Sequence, residues 1–93
     1  MEKLFTPAFR RFMKKQFLPL RLAVQDEVDR IIADPDIGEC KKGNLAGFQV
    51  HKFRFRRQEY LIAYEAGDEN LLFIMIGTHE NFYRELKNYQ RES

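Results

Sequence analysis

Phenylalanines at positions 5, 9 and 12 recur at intervals of four and three, the spacing of one face of an α-helix. Thr6-Pro7 places a capping hydroxyl just ahead of a proline at a first helical position. The pattern predicts a short amphipathic helix over about 7–16, preceded by a brief edge strand at Lys3-Leu4-Phe5. Pro19 marks the next helix, whose stripe of Leu20, Val24, Val28 and Ile31/Ile32 ends at Asp34-Pro35. Two helices separated by so few residues read as a helical hairpin.

Residues 36–47, punctuated by Gly38, Gly43 and Gly47, read as a loop. Three strands are predicted after it, at about 48–56, 59–66 and 70–77, with turns at Arg57-Gln58 and Gly67-Asp68. Leu71 to Ile76 is apolar on both parities, as expected of an interior strand covered on both faces. Gly77-Thr78 breaks that strand, and residues 80–90 read as a terminal helix with Thr78 as its cap. The order β-α-α-β-β-β-α predicts an α+β fold. In it a small antiparallel-dominated sheet carries an N-terminal helical hairpin and a C-terminal helix.

Ninety-three residues, 44% of them hydrophobic and nine of them Phe, suffice for a single packed domain spanning 1–93. No apolar run approaches the roughly 18 residues of a membrane span, and Met1 to Phe5 lacks the apolar stretch of a secretory signal. The lone Cys40 offers neither an internal disulfide nor a thiolate metal cluster. A cytoplasmic location is expected.

The net charge of +2 hides a segregation. Residues 1–22 hold six bases against one acid, and Ala23 to Glu39 holds six acids against one base. Lys41 to Arg57 carries six Lys/Arg and no acid. On the strand within that run, strict alternation would put Lys52, Arg54 and Arg56 on one face and Phe53 and Phe55 on the other. Unpaired cations are too costly to bury, so that face looks to solvent or to a polyanion. Such cations could hold a phosphodiester and stabilise charge developing on it.

His51 shares the parity of the phenylalanines, which favours a buried or edge role. His79 follows an apolar strand at a strand-to-helix corner, where a capping or solvent-facing role is the commoner one for a lone His and proton transfer the functional one. Tyr83 follows at i+4 and would share a helix face with it, as a stacking ring or as core beside Phe82 and Leu86. No Ser-His-Asp or Cys-His arrangement, metal-ligand spacing or phosphate loop is present. No cofactor or metal is expected.

Leu45-Ala46-Gly47, Phe53-Arg54-Phe55-Arg56, Tyr60-Leu61-Ile62-Ala63-Tyr64 and the corner Gly77-Thr78-His79-Glu80-Asn81-Phe82-Tyr83 together resemble the RelE/ParE toxin superfamily, closest to its YafQ-like branch. The likeness extends over essentially the whole chain, including the opening from Phe5 to Phe9. It implies the toxin of a bacterial type II toxin–antitoxin pair, with a cognate antitoxin as partner. For the RelE-like branch it further implies ribosome-dependent, metal-independent mRNA cleavage through the 2′-hydroxyl. Carried onto this chain, the resemblance implies His79 as general base or acid, Lys52 and Arg54 as phosphate clamps and Tyr83 as the stacking group. Arg56, Arg57, Lys41 and Lys42 would contact RNA. Many members carry Arg after the tyrosine of the middle strand, where this chain has Leu61. That departure keeps a second implication open: the ParE-like branch, which inhibits DNA gyrase without cleaving RNA.

Overall fold

A computed structural model describes residues 2–92. Strand β1 (Glu2–Phe5) leads into helices α1 (Pro7–Lys15) and α2 (Leu18–Ala33), followed by the short strand β2 (Glu39–Cys40) and a 3-10 turn at Gly43–Leu45. Strands β3 (Gln49–Phe55), β4 (Gln58–Ala66) and β5 (Asn70–Thr78) and helix α3 (Phe82–Glu92) complete the chain. The sheet order is β1-β5-β4-β3-β2. β1 runs parallel to β5 and the remaining pairs are antiparallel. The α+β architecture expected from the hydrophobic pattern is the one observed.

Thr6 joins the first two elements chemically. Its Oγ1 accepts from the Phe9 backbone N–H at 3.2 Å, capping α1, and donates to the Ile74 carbonyl at 2.6 Å. The register explains why that carbonyl is free. Ala63 pairs with Met75 but Tyr64 pairs with Phe73, so Ile74 is the extra residue of a β-bulge. The N-terminal cap therefore satisfies an acceptor that the ladder leaves over.

The helices cover one face of the sheet. Phe9 and the α2 stripe Leu20, Val24, Val28 and Ile31 are buried against Ile62, Tyr64, Leu71, Phe73 and Ile76. The opposite face holds a second cluster in which Phe82 and Leu86 of α3 pack on Leu61, Ala63 and Ile74, with Leu45, Phe48 and Val50 closing one end. β5, with neighbours on both edges and core on both sides, is the interior strand its double-sided apolarity predicts. Among the described residues no helix is long and apolar enough to cross a membrane.

Three local expectations need correction. The 36–47 loop contains β2, paired with β3 through Glu39–Val50 and Cys40–Gln49. The β3–β4 turn is Arg56-Arg57, with φ of 50° and 72°, rather than Arg57-Gln58. Arg56 therefore leaves the strand, and the cationic face of β3 consists of Lys52 and Arg54. Finally, Thr78 stays in the ladder opposite Tyr60 and does not cap α3. The chain turns through His79, Glu80 and Asn81, with Asn81 in the left-handed region at φ 67°, a conformation Asn tolerates better than most residues.

Candidate functional site

Alternation on β3 divides its side chains between two environments. Toward the helices, Phe53 stacks on Tyr60 at 5.5 Å between ring centres, and the His51 ring lies 6.5 Å from that of Phe53. His51 is buried, and its Nε2 sits 2.7 Å from Oε1 of Glu27 on α2. The pair ties the helix to the strand and takes His51 out of any solvent-facing role, as its parity suggested.

Toward the other face, Lys52 and Arg54 are exposed. Directly paired residues share a sheet face, so the ladder locates the remaining candidates. Lys52 pairs with Leu61, and Leu61 with Gly77. Arg54 pairs with Glu59 one row further along. His79 lies two residues beyond Gly77, which brings it level with that row on the far side of Glu59. With strands about 4.8 Å apart, the backbones of β3 and β5 are separated by roughly 10 Å. Long cationic side chains and an imidazole can span that gap around one phosphate. His79 lies just past the end of the ladder, but its ring meets that of Tyr83, which packs on the second core, so it lies on the same side of the sheet as Lys52 and Arg54.

His79 is not helical, so helical spacing does not relate it to Tyr83. The two rings nonetheless meet edge-to-face, with centres 5.6 Å apart. Tyr83, half-buried in the first turn of α3, also meets Phe82 edge-to-face at 5.3 Å. It is therefore both a flank of the second core and a wall of the exposed face.

Lys41, expected only to contact RNA, is drawn into this group. Its Nζ lies 5.1 Å from the Tyr83 ring centre, a cation–π contact, and 2.7 Å from Oε1 of Glu39. The hydrogen bond from Lys41 holds the Glu39 carboxyl below the ordinary glutamate range, and the nearby Lys52 charge acts in the same direction. The same bond holds the Lys41 ammonium above the ordinary lysine value, against the opposing effect of burial. Glu39 and Glu59 are members of this face that the sequence did not disclose. Both become visible only through pairing with β3, which local composition does not specify.

The structure does not bring every candidate together. Arg56 rests against Phe17 and Phe55, on the helical side. Arg57 is exposed in the same turn, and Lys42 is exposed beside the 3-10 turn. Leu61, where many superfamily members place Arg, is fully buried beneath α3 between Lys52 and Gly77. Among the described residues no group of three or more His, Cys, Asp or Glu is placed to hold a metal ion.

A family model described as the ParE-like toxin of type II bacterial toxin–antitoxin systems matches residues 4–87. Similar solved structures include a double arginine-to-alanine mutant of the E. coli toxin RelE in the free state. It has a TM-score of 0.74 at 17% identity, over 97% of this chain and 95% of that one. The intact E. coli RelBE toxin–antitoxin complex contains a similar chain, with a TM-score of 0.67 at 18% identity over 85% of this chain and 96% of that one. A YoeB/ParE toxin from Agrobacterium tumefaciens gives 0.63 at 17% identity, over 85% and 99%. A search of curated protein sequences finds no significant match. A family match across nearly the whole chain, joined to the same fold in RelE and YoeB/ParE, places this protein in the ParE-like toxin family: it is a toxin of RelE/ParE type from a bacterial type II toxin–antitoxin system.

Proposed function

We propose that the chain is a ribosome-dependent endoribonuclease that arrests translation by cutting mRNA, acting in the cytoplasm. The observation that carries this reading is the common face of Lys52, Arg54 and His79, with Tyr83 as its wall. Lys52 and Arg54 hold the scissile phosphate and balance the charge of its pentacoordinate transition state. The His79 imidazole takes the proton of the adjacent 2′-hydroxyl, whose oxygen attacks phosphorus. The 5′-oxygen leaves, taking up through solvent the proton that His79 accepted, and the upstream fragment ends in a 2′,3′-cyclic phosphate. Tyr83, steadied by Lys41, stacks on a neighbouring base. Residues of the chain supply each of these roles, so the mechanism proposed needs no metal or cofactor. A cognate antitoxin is the expected partner, by analogy with the RelBE complex.

Leu61 favours a second reading, inhibition of DNA gyrase without RNA cleavage. It leaves the centre of the face without the cation common in nuclease members. Primer extension on ribosome-bound mRNA separates the two. New 5′ ends are expected with the wild-type toxin, and His79→Ala should slow their formation by about 10²–10⁴-fold, the range of a general acid–base contribution. Growth arrest with DNA damage and intact mRNA would instead identify the gyrase mode.

A further inference from the structure

Helix α2 buries one stripe and leaves a second apolar step on its outer side. Leu18 and Leu22 lie one turn apart, away from the buried Leu20, Val24 and Ile31, and are 56% and 50% exposed. A surface helix ordinarily presents polar residues there. Asp26 and Asp29 do so on the C-terminal half of the same outer side, and both are exposed. Lys14 and Lys15, exposed at the end of α1, stand beside the start of α2. Along one helix the outward surface therefore runs from basic through apolar to acidic.

Further along the same helix, a groove of about 570 Å³ opens between β1, α1 and α2. Phe9, Met13 and Val28 give it an apolar floor, and its banks carry opposite charges, Lys14 on α1 and Asp29 on α2. The molecule thus holds an exposed pair of leucines and an open apolar groove, displaced from each other along α2. Neither is used by the face that carries Lys52 and His79.

We propose that these two features receive each other across a two-fold axis, with α2 packed antiparallel on α2 of a second copy of this chain. Reversing the direction of one helix brings its Leu18 and Leu22 over the groove of the other copy. A two-fold contact must be self-complementary, because each patch meets its counterpart twice. The order basic, apolar, acidic meets that condition. Turned end for end, Lys14 and Lys15 of each copy face Asp26 and Asp29 of the other, and the apolar steps fall at the centre. Partners of a single sign fit less well. RNA or an acidic peptide would be repelled by Asp26 and Asp29, and a basic segment by Lys14 and Lys15. Because α2 covers the opposite side of the sheet, the contact leaves Lys52, Arg54 and His79 open. The inference goes beyond the nuclease reading and does not depend on it.

Analytical ultracentrifugation of the full chain tests this without any activity readout. Wild type should sediment as a dimer at micromolar concentration and dissociate on dilution. Leu22→Asp should weaken the dimer at least about tenfold, the effect of losing an interface anchor. Its urea unfolding, measured where wild type is monomeric, should match wild type, since the position is exposed in the single chain. The variants Lys14→Glu with Lys15→Glu, and Asp26→Lys with Asp29→Lys, should each be monomeric alone. An equimolar mixture of the two should regain the dimer, because both rims are then attractive again. A wild type that stays monomeric up to millimolar concentration would overturn the proposal, as would a dimer that survives Leu22→Asp. Failure of the mixture to reassemble would also overturn it. A monomeric wild type whose Leu22→Asp variant loses antitoxin or ribosome binding would assign the leucines to that partner and reject the second copy.

Discussion

The two faces of the sheet draw alternate residues from the same strands and end up with opposite characters. Toward α1 and α2, the β3 residues His51, Phe53 and Phe55 are covered, and a run of ring contacts joins Phe5, Phe9, Phe73 and Tyr64. Toward α3 the cover is partial. Phe82 and Leu86 seal the part over Leu61, Ala63 and Ile74, while Lys52 and Arg54 stay exposed. Two helices can hide one face, but a single helix cannot hide the other. The uncovered end is where cations cost little, because water solvates them until an anionic ligand arrives. On the proposed nuclease reading, stability and chemistry fall on opposite sides of one strand.

That division can be broken from the helical side with the largest effect. Phe73→Ala removes a buried ring stacked 5.2 Å from Phe5. It should cost about 3–5 kcal/mol, a large share of the roughly 5–15 kcal/mol available to such a domain. Urea unfolding should register the loss directly.

Tyr64→Phe tests the same side more gently. The Tyr64 hydroxyl donates to the Pro35 carbonyl at 2.6 Å and accepts from the Gly38 N–H at 2.9 Å, pinning the chain between α2 and β2. Its loss should cost about 1–3 kcal/mol, since the Gly38 N–H loses its partner and the Pro35 carbonyl keeps only the bond from Gln49 Nε2 at 2.9 Å. Burial raises the Tyr64 pKa above its ordinary value. The folded state therefore keeps this proton where the unfolded chain gives it up. Its contribution is complete below about pH 10 and declines as pH rises through the raised value. Stability measured from pH 9 to 11 should fall more steeply for wild type than for Tyr64→Phe.

On the open face the prediction reverses. Lys52→Ala should change stability by less than about 0.5 kcal/mol, as for an exposed position, and yet strongly reduce mRNA cleavage. A large loss of stability in that variant would erase the distinction between the faces.

Periodic features were legible because they are local. The α2 stripe, the double-sided β5 and the Thr6-Pro7 start each rest on a few neighbouring residues, and all were found where expected. Features that depend on pairing were not. β2 is two residues long and exists only against β3. Thr78 is held in strand by Tyr60 rather than released to cap α3. Arg56-Arg57 lacks the residues that mark such a turn, so alternation alone runs the strand one residue too far and puts Arg56 on the wrong face. Within the candidate site, the placement of Lys52 and Arg54 followed from parity alone. The approach of Lys41 to Tyr83 depends on how α3 crosses the sheet, which no spacing in the sequence encodes.

The bond from Thr6 to the Ile74 carbonyl spans 68 positions of chain, and among the described residues β1 has β5 as its sole neighbour in the sheet. During synthesis, β1 must wait unpaired until β5 has emerged. Assembly of the finished domain is therefore a late, cooperative event. A fragment released early lacks the strand on which both the amino-terminal segment and β4 dock, so an interrupted translation product would be left without a completed sheet.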